Sequence, residues 1–111
     1  MAENQVGCST DEKNGWTLWH VRGRLDRLTA PAISEEAEAL LAATPKFAVE
    51  MSELEYLSSA GIRVLLRLMK QARTEDREFA LVAPAGMVRV VLSESRLDLF
   101  TSIYDSVEEL P

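Results

Sequence analysis

The chain holds a single cysteine and a single histidine in 111 residues. With only Cys8, no internal disulfide and no thiolate metal cluster can form, and a reducing, cytoplasmic setting is expected. With only His20, a serine nucleophile would have one candidate base, and His20 lies in an aromatic and β-branched run where packing is its ordinary role. Neither a Gly-x-Ser-x-Gly elbow nor a phosphate-cradling glycine loop with its lysine occurs, so the chain reads as no enzyme and implies no cofactor. The paired carboxylates Glu35-Glu36 and Glu108-Glu109 fall on solvated helix faces, and no metal is assigned to them.

A basic excess is also missing. The net charge of −6 argues against duplex nucleic acid or an anionic membrane as the main partner, because both reward a positive surface. No apolar run approaches the roughly 20 residues that span a bilayer, and Met1-Ala2-Glu3-Asn4-Gln5 lacks the charged-then-apolar layout of a signal peptide. Four prolines and five glycines are too few to suggest disorder, and 47% hydrophobic with 27% charged residues is ordinary globular composition. A single domain over 1–111 is expected, burying roughly 65% of the surface its unfolded chain exposes.

What is present is an alternation of short apolar runs with amphipathic stretches. Residues 1–13 are polar and read as a frayed end or a weak edge strand, with Asn14-Gly15 as a turn that would close a hairpin. The run 16–21, Trp-Thr-Leu-Trp-His-Val, reads as a strand ending at Gly23. Thr29 suits an N-cap and Pro31 the first turn of a helix in which Ile33, Ala37, Leu40 and Leu41 recur until Pro45. A buried strand is expected over 46–51, then a loop over 52–57.

The second helix is expected over 60–73, with Ile62, Leu65, Leu66 and Met69 on one stripe and Arg63, Arg67, Lys70 and Arg73 on the other. A strand over 79–83 follows, then a helix from Pro84 with Met87, Val90, Val91 and Glu94 on one side. A last strand within 97–103 and a helical turn over 105–110 complete the chain. Strands alternating with helices predict βαβ units and a largely parallel sheet with right-handed crossovers. Trp16, Trp19, Leu92 and Phe100 are expected in the core; oligomeric state is left open.

Ser58 and Ser59 stand where an apolar run gives way to the second helix. One of them is expected to cap that helix. A helix start is also where an added phosphate meets no electrostatic clash, so the same seam can act as a switch.

The string Ser58-Ser59-Ala60-Gly61-Ile62-Arg63-Val64-Leu65-Leu66, preceded by Glu50-Met51-Ser52 and by Gly23-Arg24-Leu25-Asp26 with Thr29-Ala30-Pro31, resembles the STAS domain of bacterial anti-sigma factor antagonists. The tail from Leu97-Asp98-Leu99-Phe100 to Ile103-Tyr104-Asp105-Ser106 resembles the family's closing strand and helix. The resemblance spans about 16–110. It implies an α/β fold: a mixed, mostly parallel sheet of four or five strands with about four helices packed mainly on one face.

It also implies partner switching. The unphosphorylated domain binds an anti-sigma factor that is a serine kinase and so frees a sigma factor; phosphorylation ends the binding and a serine phosphatase restores it. Carried onto this chain, the acceptor is Ser59, with Ser58 a second candidate in the place of the family's usual Asp. Ala60 and Gly61 complete that motif, Asp26 matches the acidic residue of the neighbouring loop, and Glu50 stands where many members carry Asp. Arg63, Arg67 and Lys70 would extend the partner-binding face. The alternative is a STAS accessory or ligand-sensing subunit of a transport assembly, with no kinase partner.

Overall fold

The two-residue loop Asn14-Gly15 takes φ of +56° and +85°, the left-handed pair that a tight hairpin needs. It joins strand β1 (Val6–Lys13) to β2 (Trp16–Leu25) in antiparallel register, with Lys13 opposite Trp16 and Val6 opposite Gly23. The computed structural model describes residues 6–111; of the stretch 1–13 read as a frayed end or an edge strand, Val6–Lys13 is an edge strand, and the first five residues lie outside the described ones. From the hairpin the chain runs through α1 (Ala30–Ala42), β3 (Lys46–Glu50), β4 (Leu54–Leu57), α2 (Ser59–Thr74), β5 (Glu78–Val82), α3 (Gly86–Glu94) and β6 (Ser102–Tyr104). Short 3-10 turns at Leu97–Leu99 and Val107–Glu109 flank the last strand.

The sheet order is β1-β2-β3-β5-β6, and every pairing except the hairpin is parallel. β4 joins the far end of β2 in parallel, Gly23 opposite Leu54 and Leu25 opposite Leu57. Among the described residues the sheet therefore has six strands rather than four or five. The extra one is Leu54–Leu57, expected as loop: four residues are too few for an alternation to stand out, and they become a strand only because β2 runs past Gly23 to offer a partner. Three α-helices and two 3-10 turns replace the expected four helices among the described residues.

Period-two alternation assigns the two faces. Trp19, Val21, Leu25, Phe47, Val49 and Leu81 point to the helices and pack with Ile33, Ala37 and Leu41 of α1, Val64, Leu65 and Leu68 of α2, and Val88 and Leu92 of α3. On the other face a smaller cluster of Trp16, Leu18, Ala48, Ala80 and Val82 is covered by Leu110 with Val107 and Tyr104. The Trp16 indole N–H donates to the Pro111 carbonyl oxygen at 2.9 Å, tying down that cover.

Three expectations of facing are corrected. In α2 the buried residues are Gly61, Val64, Leu65, Leu68, Met69 and Ala72, while Ile62 and Leu66 are only half-buried. The helix is wedged against both α1 and the sheet, so its apolar arc is wider than one stripe and is centred nearer Leu65 and Leu68. In α3, which begins at Gly86 rather than at Pro84, the inward pair is Val88 and Leu92, four apart on the face that packs into the main core, and Met87, Val90 and Glu94 are exposed. Phe100, expected in the core, is 55% exposed. The 3-10 turn sends only Leu97 inward.

His20 lies on the sheet face away from the helices, half-buried, with Nε2 3.2 Å from Asp11 and Nδ1 3.5 Å from Glu50. Glu50 is buried at the end of β3, where one carboxylate oxygen accepts from the N–H and hydroxyl of Ser52 and closes the turn into β4. Cys8 is half-buried, and burial with the nearby Glu36 charge pushes its thiol up to about 11. It is held as the unreactive thiol.

Candidate functional site

The seam between β4 and α2 assigns the two serines different tasks. Ser58 has extended backbone (φ −97°, ψ 177°), and its hydroxyl oxygen accepts from the N–H groups of Ala60 at 3.2 Å and Gly61 at 3.4 Å. Two of the four N–H groups left without partners at a helix start are thereby satisfied. Ser58 is half-buried, and its own N–H donates to the Leu25 carbonyl oxygen at 3.0 Å, which pins the helix start to the end of β2. Ser59 is the first helical residue and is exposed. Because the cap uses the Ser58 oxygen, the Ser59 hydroxyl stands outside it.

Gly61 sets how closely α2 approaches the sheet. A Cβ there would lie 2.6 Å from Leu57 Cδ1, 2.9 Å from Leu25 Cγ and 2.9 Å from the Leu25 carbonyl oxygen. Gly61 is buried and therefore shapes the site from beneath; its expected place on a partner-binding surface is corrected on that ground.

Across the cleft stands the loop that opens α1. Asp26 Oδ1 accepts from the N–H of Leu28 at 3.0 Å and of Thr29 at 3.2 Å, while the Asp26 N–H donates to Thr29 Oγ1 at 3.0 Å. Thr29 occupies the cap position, but its hydroxyl is spent on the Arg24 carbonyl at 3.0 Å and caps no helix N–H, while the carboxylate of Asp26 holds the turn that leads into α1. Burial alone would push the Asp26 carboxyl up; the N–H bonds from Thr29 and Leu28 and the Arg24 guanidinium outweigh it and hold the group below the usual carboxylate range. Arg24 Nε lies 3.5 Å from Asp26 Oδ2, and the guanidinium sits 4.1 Å above the Tyr56 ring.

Asp26, Ser58, Ser59, Ala60 and Arg63 thus line one open cleft, together with Arg24, Arg27, Leu28 and Tyr56. Arg67 belongs to the adjoining hollow between α1 and α2, where it donates to Ser34 at 2.9 Å and lies 3.7 Å from Glu38. Lys70, one turn further along α2, is exposed. Arg27 and Leu28 were passed over in the sequence reading, although they follow directly on the Asp26 motif. Leu28 is 68% exposed on the rim of this cleft. The larger hollow around Gly7, Arg22 and Glu53 contains none of these groups.

Residues 8–110 match the family model of the STAS domain. The chain belongs to the STAS domain family. Among its relatives, the anti-sigma-F factor antagonist RsfB of Mycobacterium tuberculosis is 23% identical over 96% of this chain and 90% of its own length. The crystal structure of an anti-sigma factor antagonist from Mycobacterium paratuberculosis superposes with a TM-score of 0.87 at 24% identity, covering 97% of this STAS domain chain and 92% of that one. The Bacillus cell fate determinant SpoIIAA in its phosphorylated form superposes with a TM-score of 0.66 at 16% identity, over 87% of this chain and 90% of that one. These structural likenesses establish a shared STAS fold. No helix among the described residues is long and apolar enough to cross a membrane.

Proposed function

We propose that this STAS domain is an anti-sigma factor antagonist of the cytoplasm, a regulatory binding protein rather than an enzyme. In its unphosphorylated form it docks on an anti-sigma factor that is also a serine kinase, and the sigma factor held there is released. The observation that carries the reading is the division of labour at the seam: Ser58 caps the helix, which leaves the Ser59 hydroxyl exposed in a cleft beside Asp26. The M. tuberculosis relative, an anti-sigma-F factor antagonist, and the Bacillus neighbour, whose structure is of a phosphorylated form, support it.

In the transfer step Ser59 Oγ attacks the γ-phosphorus of ATP bound to the partner. The bond to the bridging oxygen breaks, ADP leaves with the electron pair, and the hydroxyl proton passes to a base of the kinase. The product carries about −1.5 to −2 extra charges at the start of α2, where the helix terminus tolerates them. A partner packed over Ser59 then faces a charge it must desolvate and repel, and losing ~3 kcal/mol would weaken the complex more than a hundredfold. A serine phosphatase resets the cycle. Asp26, Ala60, Arg63 and Lys70 form the face that meets the partner, with the cations opposite acidic groups.

The test is incubation of the protein with candidate anti-sigma kinases, ATP and Mg²⁺, followed by mass spectrometry. Wild type is expected to gain one phosphoryl group and Ser59→Ala none. Ser59→Asp should lose partner binding. No gain with any cognate kinase, or a Ser59→Asp protein that binds as tightly as wild type, refutes the reading and favours a transport-assembly subunit.

A further inference from the structure

Arg27 and Arg63 line the cleft that holds Ser59, and both also line the adjoining hollow between α1 and α2. Both are exposed, and neither forms an ion pair among the described residues. Their neighbours are otherwise engaged: Arg24 is held by Asp26 and Tyr56, and Arg67 by Ser34 and Glu38. Arg63 follows Ser59 by four residues on α2, a spacing that sets two side chains on one face with their Cβ atoms about 6 Å apart. Two uncompensated guanidinium groups are thereby gathered round an exposed hydroxyl in a chain of net charge −6.

We propose that Arg63 and Arg27 clamp the phosphate of phosphorylated Ser59, so that the modification withdraws two docking cations from the surface in the same step that it adds charge. The proposal rests on Ser59 as the modified residue and deepens that reading. Before modification the two guanidinium groups are free donors for an acidic partner. Afterwards each is committed to phosphate oxygens of its own chain through charge-assisted bonds, the geometry that suits guanidinium best. The cleft passes from a local charge of about +2 to about zero. Asp26 faces the same cleft, but Arg24 and the N–H groups of Leu28 and Thr29 already hold its carboxylate. The partner is thus disfavoured through loss of its counter-charges as well as through repulsion.

The test installs phosphoserine at position 59 by suppression of an amber codon, so no kinase is required, and follows the phosphate by ³¹P NMR titration. An ordinary phosphoserine has its second ionisation near pH 6. In the wild-type background the midpoint is expected at least ~0.5 pH unit below that of the Arg27→Ala/Arg63→Ala variant, with Arg63→Lys between them. The helix terminus is common to all three proteins, so the difference isolates the arginines. Coincident midpoints for wild type and the double variant overturn the clamp. Should the double variant fold poorly, Arg63→Gln alone must still raise the midpoint. Failure of every kinase to modify Ser59 would defeat the proposed function and leave this titration standing; coincident midpoints would defeat the clamp and leave the kinase reaction standing.

Discussion

A single methyl group at Gly61 tests how the site is built. In Gly61→Ala the new Cβ would lie 2.6 Å from Leu57 Cδ1 and 2.9 Å from both Leu25 Cγ and the Leu25 carbonyl oxygen. The first two contacts are side-chain atoms that can yield, but the third is backbone at the end of a central strand, and Leu25 and Leu57 are themselves buried. Overpacking of this kind costs about 1–3 kcal/mol, against a helix-propensity gain of at most ~1 kcal/mol that shrinks at the first turn. A net loss of about 1–2 kcal/mol is expected, which at a urea slope of ~1–1.5 kcal/mol per molar lowers the midpoint by about 1 M. Fluorescence reports it directly, because Trp16 and Trp19 are both buried. The Leu25 oxygen also accepts from the Ser58 N–H, so the displaced strand would carry the cap with it. A Gly61→Ala protein with a midpoint at or above that of wild type would refute the account of Gly61 as the residue that lets α2 reach the sheet.

The two serines should separate cleanly under urea: Ser58→Ala loses the cap of α2 and about 1 kcal/mol, whereas Ser59→Ala stays within about 0.5 kcal/mol of wild type. Equal losses would remove the division of labour between them. For Asp26 the folded-state value is depressed, so its contribution to stability is complete above the unfolded value of about 4 and is lost as pH falls through the folded value. Urea midpoints of wild type and Asp26→Asn measured from pH 7 to pH 2 should therefore differ most near neutrality and converge in acid; a gap that widens on acidification would contradict the sign.

The hairpin was legible because Asn14-Gly15 between two extended runs leaves few alternatives, and the βαβ order followed from apolar period and from Thr29, Pro31 and Pro45 at helix borders. Element facing was less legible. Residues Gly61, Ile62, Val64, Leu65, Leu66, Leu68 and Met69 offer several adjoining apolar stripes, and only contact with α1 and the sheet selects among them. Met87 and Phe100 show the reverse case: apolar residues that composition places inside and chain direction leaves outside.

At the site, the sequence alone determined that a hydroxyl pair meets a helix start and that an acidic loop motif precedes it, since turn and capping chemistry act over a few neighbouring residues. Tertiary structure decided which serine is used up by the cap, that Gly61 is buried, and that Arg67 is held by Ser34 while Arg63 and Arg27 share the Ser59 cleft. Ser34 and Arg67 are 33 positions apart, and no local pattern specifies such a meeting. It comes from the packing of α1 against α2 on one face of the sheet, a constraint set by the whole core.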